Sequence, residues 1–136
     1  MIIGIGTDLV DCSRLQKANE RIGQRFLDRV FTKTEQERCD LRAHRFQSYG
    51  KVFAAKEAVL KALGDVSGIQ WQEIEITHLP NGKPIVTLSG TALNNLRNLL
   101  MKDQTGKIDL SITDEPPYAQ AFVVISVCLA QKTLKG

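Results

Sequence analysis

Three charged side chains interrupt apolar patterns, Asp8, Lys56 and Glu57, and a fourth, Lys61, lies one helical turn from Glu57. Asp8 closes the apolar run Ile2-Ile3-Gly4-Ile5-Gly6-Thr7; taken by itself it reads as a strand end or helix cap, though functional groups often sit at such a loop edge. Lys56 and Glu57 lie three and four residues after Phe53 and four and three before Leu60, so helical geometry puts them on or beside an apolar stripe. Lys61 is the neighbour of Glu57 one turn further on. Two chemistries fit these groups. One is a solvated Glu57–Lys61 pair at the edge of the stripe, which contributes about 0.3–0.5 kcal/mol. In the other, Asp8 and Glu57 offer the two carboxylates that magnesium takes from protein while phosphate oxygens complete its shell. A lysine alongside then neutralises the same phosphates as a point charge. Spacing alone does not bring Asp8 to Glu57.

The elements that could position these groups follow from periodicity and punctuation. Residues 2–9 read as a strand, β-branched and too short for a helix. Asp11 can cap a helix whose Leu15, Ala18, Ile22 and Phe26 recur toward the core, with Gly23 a point of breakage. Thr34 and Glu37 have capping-box spacing, which predicts a short helix over 34–41. The longest helical pattern runs from His44 to Leu63, with Phe46, Tyr49, Phe53, Leu60 and Leu63 along one side and Gly64 to stop it. Trp71–His78 alternates as a strand, Pro80-Asn81-Gly82-Lys83 turns the chain, and Ile85–Leu88 returns as its hairpin partner. Leu93, Leu96, Leu99 and Leu100 mark another helix. Ile108–Thr113 and Ala119–Ala130 read as strands joined by a proline-containing loop, Asp114–Tyr118. The sum is one α+β domain over residues 1–136, a mostly antiparallel sheet packed with a long helix.

Composition excludes several classes. With 43% hydrophobic and 24% charged residues, a chain of 136 residues should bury a core and is not disordered or fibrous. A net charge of +3 is too small a surplus to point to nucleic acid. No run approaches the roughly 20 apolar residues of a membrane span. The amino-terminal run has no basic residue ahead of it, so no secretory signal is read there. Cys12, Cys39 and Cys128 show neither paired nor metal-binding spacing, and a reduced, cytosolic setting is expected. Cys12 has no evident base beside it. His44 and His78 read as surface or hydrogen-bonded groups rather than catalytic ones. Gly4-x-Gly6 lacks the third glycine of a dinucleotide fingerprint.

Gly4-Ile5-Gly6-Thr7-Asp8, together with Phe53-Ala54-Ala55-Lys56-Glu57-Ala58-Val59-Leu60-Lys61-Ala62-Leu63, resembles the holo-[acyl-carrier-protein] synthases, small members of the 4′-phosphopantetheinyl transferase superfamily. The second motif is the specific one: a phenylalanine, then Lys-Glu-Ala, then a lysine four residues after the glutamate. The likeness continues through Glu73-Ile74-Glu75-Ile76, Asn81-Gly82-Lys83-Pro84 and Ala119-Gln120-Ala121-Phe122-Val123-Val124, and so spans nearly the whole chain.

The resemblance implies the superfamily's fold and a definite reaction. A serine hydroxyl of an apo-acyl carrier protein attacks the phosphorus that bears the pantetheine arm of coenzyme A, and adenosine 3′,5′-bisphosphate leaves. It implies that Asp8 and Glu57 bind magnesium, that Lys61 joins them as the catalytic set, and that Lys51, Lys61, Gly82, Lys83 and Pro84 contact the coenzyme. Such a transfer needs charge neutralisation, in-line positioning and a base. The base stays open between a metal-associated water and a carboxylate such as Glu57. Arg14, Lys17, Arg21 and Arg25 fall at i, i+3, i+7 and i+11 as a basic stripe, and the resemblance makes Arg14, Arg21 and Arg25 the grip on an acidic carrier. A cytoplasmic homotrimer with the coenzyme between subunits, binding neither nucleic acid nor membrane, is implied as well.

The chain departs from the family pattern in three places. Val52, preceded by Lys51, stands where an arginine is common; Asp114 follows Ser111-Ile112-Thr113 where a histidine is common; and Gly64-Asp-Val-Ser-Gly68 replaces a shorter glycine-rich turn. Two other function classes fit the same residues: a transferase serving a secondary-metabolism carrier, and a non-catalytic carrier-binding module.

Overall fold

The first strand and the last two strands of the described residues make the main sheet. Strand β1 (Ile2–Asp11) pairs antiparallel with β5 (Tyr118–Leu129), and β5 pairs with β4 (Gln104–Glu115), so the order is β1-β5-β4. The computed structural model describes residues 1–129; Ala130, the last residue of the expected final strand, lies outside them. A separate hairpin joins β2 (Ile74–His78) to β3 (Pro84–Leu88). Five helices complete the described residues: α1 (Cys12–Ile22), α2 (Gln24–Val30), α3 (Lys33–Asp40), α4 (Arg45–Leu63) and α5 (Gly90–Asn98).

Side-chain alternation gives the main sheet two unlike faces. On one, Gly4, Gly6 and Asp8 of β1 and the buried Ala119, Ala121, Val123 and Ile125 of β5 face α4. On the other, Ile5, Leu9 and Phe122 are 61%, 65% and 49% exposed. The α-helix meets the sheet with alanines, which favour helix and leave little side chain in the way. A Cβ at Gly4 would stand 2.2 Å from the carbonyl oxygen of Ala62, and one at Gly6 would stand 1.9 Å from that of Ala58. Only glycine lets a strand lie so close on helix backbone. Gly6→Ala is therefore expected to push β1 off α4 at a cost of about 1–3 kcal/mol, read as a lower urea midpoint. An unchanged midpoint would mean that this contact can yield freely.

Several sequence expectations need correcting. The first helix ends at Ile22, because Gly23 takes φ +84°, and Arg25 belongs to α2 rather than to the same helix. Ile22, expected in the core, is 43% exposed, whereas Leu15 is buried and Phe26 packs on the core's edge. The capping box is formed by Thr32 and Glu35, not by Thr34 and Glu37, and α3 starts at Lys33. Trp71–Glu73 make a 3₁₀ turn before β2. Leu99 and Leu100 lie beyond α5 and continue it only as a turn, bonding back to Leu96 and Arg97. Strands β4 and β5 absorb Asp114, Glu115 and Tyr118, so the expected loop shrinks to a turn at Pro116-Pro117.

The centre of the domain holds an ion pair. Lys56, at the heart of α4, is 0% exposed and donates to Glu35 Oε1 at 2.7 Å, Ile74 O at 2.8 Å and Trp71 O at 3.1 Å. Glu35 is as deeply buried, and its carboxylate also accepts from the backbone amides of Thr32 and Ile76. Three elements, α3, α4 and β2, are thereby tied at one point. Burial lowers the Lys56 pKa, and the attraction of Glu35 opposes that shift.

Candidate functional site

Asp8 and Glu57, 49 positions apart, are brought together by the close seat of β1 on α4. Asp8 projects from the inner face of β1 beside Ala121, and its side chain is 16% exposed. Glu57 stands on α4, half-buried, one position beyond the pinned Lys56. Each carboxyl is held above its ordinary pKa. For Glu57 burial is the larger cause, and the negative charge of Asp8 adds to it, with Lys61 opposing. For Asp8 burial is again the larger cause, and the hydrogen bond and charge of Lys61 oppose it.

Lys61 bears on the first of the two sequence readings, the Glu57–Lys61 pair. Its ammonium does not pair with Glu57 one turn away. It reaches across to β1 and donates to Thr7 O at 2.9 Å and Asp8 Oδ1 at 3.3 Å. Among the described residues Glu57 has no hydrogen-bond or ion-pair partner. Two carboxylates with one ammonium thus leave a net negative site, open to solvent on the lysine side, where Lys61 is 55% exposed. A divalent cation would remove the repulsion between the acids, and the donor set of two hard oxygens suits magnesium, which retains water and phosphate oxygens as its other ligands. Among the described residues no cluster of three or more histidine, cysteine, aspartate or glutamate side chains offers a fuller metal cage.

The remaining predicted site residues are dispersed. Lys51 lies on α4 with its ammonium 3.9 Å from Asp114, which also accepts from Gln47 Nε2 at 3.1 Å. Val52 is buried. Gly82, Lys83 and Pro84 occupy the β2–β3 turn, where Gly82 takes φ +89° and donates to Leu79 O at 2.8 Å. None of their hydrogen bonds reaches Asp8, Glu57 or Lys61. Arg14, Lys17 and Arg21 project from α1 and Arg25 from α2; all four are exposed and, among the described residues, none makes an ion pair. A groove of about 1090 Å³ runs between α1, the start of α4 and the β4–β5 turn, and is lined by Cys12, Gln16, His44, Phe46 and Asp114 among others. Neither Asp8, Glu57 nor Lys61 lines it.

Sequence reasoning missed Glu35. Its signal was present as Thr32-x-x-Glu35, a second register of the capping-box spacing found at Thr34 and Glu37. The partner of Lys56 was missed with it.

Comparison with known proteins identifies the family and the fold. The model of the 4′-phosphopantetheinyl transferase superfamily matches residues 4–119. A holo-[acyl-carrier-protein] synthase of Rhodopseudomonas palustris (strain TIE-1) is 49% identical over 142 aligned positions, covering 100% of this chain and 97% of that one. Among solved structures, the holo-[acyl-carrier-protein] synthase of Neisseria meningitidis superposes with a TM-score of 0.79 at 34% identity, covering 93% of this chain and 99% of that one. The Helicobacter pylori enzyme of the same name, solved in complex with coenzyme A, gives 0.74 at 28% identity, with 90% and 99% covered.

Proposed function

This chain belongs to the 4′-phosphopantetheinyl transferase superfamily, and from that premise we propose that it transfers the phosphopantetheine arm of coenzyme A to a serine of an apo-acyl carrier protein. The observation that carries the proposal to particular residues is the convergence of Asp8, Glu57 and Lys61 from two elements that only the fold brings together.

In this reading Asp8 and Glu57 hold magnesium, which when bound supplies charge neutralisation to the coenzyme's diphosphate and leaving group. Lys61, already aimed at β1 and exposed at its tip, steadies the same anionic bridge as a point charge. Glu57, its proton affinity raised by burial and by Asp8, is the carboxylate this chain offers to the serine proton. The carrier docks on Arg14 and Arg21 of α1 and Arg25 of α2, which are exposed and carry no competing ion pair among the described residues. Lys51 and the turn at Gly82, Lys83 and Pro84 hold the coenzyme. A coenzyme lodged between subunits would bring that turn and the carboxylates to one ligand.

Self-association has its own support in the bare outer face of the main sheet, where Ile5, Leu9 and Phe122 lie exposed in register with Val124, Gln120 and Thr7. An apolar face of this kind marks a contact surface, and we take it as the surface of the homotrimer. A cytoplasmic setting fits the three free cysteines, and no helix among the described residues is long and apolar enough to cross a membrane.

The deciding experiment incubates the protein with apo-carrier, coenzyme A and magnesium and weighs the carrier. A mass gain of one phosphopantetheine arm, lost on chelation and restored by magnesium, is expected; no gain in any condition ends the enzyme reading. Reversing charge at Arg14 and Arg21 to glutamate should weaken carrier capture about tenfold or more at low salt, with the KM for coenzyme A unmoved. Equal carrier KM in wild type and variant would remove α1 from the docking surface.

A further inference from the structure

Lys61 makes two bonds of different kinds. Its ammonium donates to Thr7 O at 2.9 Å and to Asp8 Oδ1 at 3.3 Å, both on β1. Thr7 O is a fixed acceptor: the residue sits in register with Phe122 of β5, and its own hydroxyl donates to Ala121 O at 3.0 Å. Asp8 Oδ1 is the longer contact, and it belongs to a carboxylate proposed above as a magnesium ligand. The two partners also differ in freedom. The Asp8 side chain is 16% exposed, whereas that of Lys61 is 55% exposed on a flexible four-carbon stem. A divalent ion on Asp8 repels an ammonium on the same carboxylate, and a diphosphate attracts that ammonium. The mobile partner is therefore the one that yields.

We propose that Lys61 is an exchangeable counter-ion that couples the two ligands of this site: it holds Asp8 in the ligand-free chain, gives it up to the divalent ion, and is thereby released to the phosphates of the coenzyme. The inference rests on the function proposed above and adds to it an order of events and a cooperativity. Whichever ligand arrives first breaks the Lys61–Asp8 contact, and the second does not have to break it again, so each improves the affinity for the other by the same factor. A lysine that stayed in place, giving only its third hydrogen to phosphate, would act differently. It would repel the metal and attract the diphosphate equally whether or not the other was bound, and would change both affinities without changing the factor that links them.

The test reads binding alone. Coenzyme A is titrated by calorimetry into wild type, Lys61→Met and Lys33→Met, first with chelator and then in saturating magnesium, and the ratio of the two Kd values is the coupling. Lys33 is exposed on α3 and controls for the loss of one positive charge elsewhere. Binding of Mn²⁺ to each protein without coenzyme is followed by electron paramagnetic resonance. The coupling is expected to be about fivefold or more smaller in Lys61→Met than in wild type. Mn²⁺ alone should bind Lys61→Met about fivefold or more tighter, because neither the contact nor the repulsion then opposes it. Lys33→Met should match wild type in both measurements. Wild-type coupling in Lys61→Met overturns the proposal, as does a bare Mn²⁺ affinity that falls or stays unchanged, or a Lys33→Met that behaves like Lys61→Met. Equal coupling removes only the exchange and leaves the metal reading standing; failure of all three proteins to bind either ion overturns the metal reading and this inference with it.

Discussion

Glu57→Gln is expected to lower the transfer rate by about 10²–10³-fold while raising, not lowering, the thermal midpoint in buffer free of divalent ions. Both effects have one origin. The folded chain holds Asp8 and Glu57 above their ordinary pKa values, so it binds their protons more tightly than the unfolded chain does. For an acid shifted upward, the advantage to the folded state exists at low pH and disappears as pH rises through the folded pKa. Where both groups are ionised they repel each other, with Lys61 offsetting part of the repulsion. Removing one charge relieves the fold, by roughly 1–3 °C in midpoint, and removes a metal ligand. Added magnesium should then raise the midpoint of the wild type and leave Glu57→Gln unmoved. The same linkage sets the acid limb of the pH profile: protons compete with the metal, so transfer should decline at a higher pH than ordinary carboxylates would give. Undiminished transfer by Glu57→Gln would take this residue out of the centre, and a lowered midpoint would show that its charge stabilises the fold.

The second large effect concerns stability. Lys56→Met is expected to cost about 3–5 kcal/mol, because it leaves Glu35 charged and fully buried with only two backbone amides to satisfy it. Glu35→Gln should cost a comparable amount by stranding the ammonium. The double replacement should cost clearly less than the sum, since neither unpaired charge then remains. Urea unfolding of the four proteins measures this directly. Strictly additive losses would mean that the 2.7 Å contact contributes no coupling. The position of the pair explains why it matters to the site: Lys56 fixes the turn of α4 that carries Glu57, so a loosened pair also releases one of the two acids.

Much of the architecture was legible because it rests on local physics. The strand at β1, the helical periodicity of α4 and its stop at Gly64, and the turn at Gly82 each follow from backbone preferences of a few neighbouring residues. The chemistry was legible in part for the same reason: a charge on an apolar stripe and an acid ending an apolar strand are visible as exceptions to the pattern around them. The errors share a cause. Thr32–Glu35 and Thr34–Glu37 are equally good capping boxes in sequence, and Leu99 and Leu100 equally good members of a helical repeat.

The sequence by itself determined the elements and the residue types able to bind a metal and phosphate, since both depend on short-range geometry and intrinsic chemistry. Only the tertiary structure decided the pairings. Lys61 turned to Asp8 instead of Glu57, Lys56 went inward to Glu35, and Thr32 won the cap because Glu35, and not Glu37, can reach both Lys56 and the amide of Ile76. The physical reason is that a charge in low-dielectric surroundings must find its partner in space, and distance along the chain carries no information about who stands opposite.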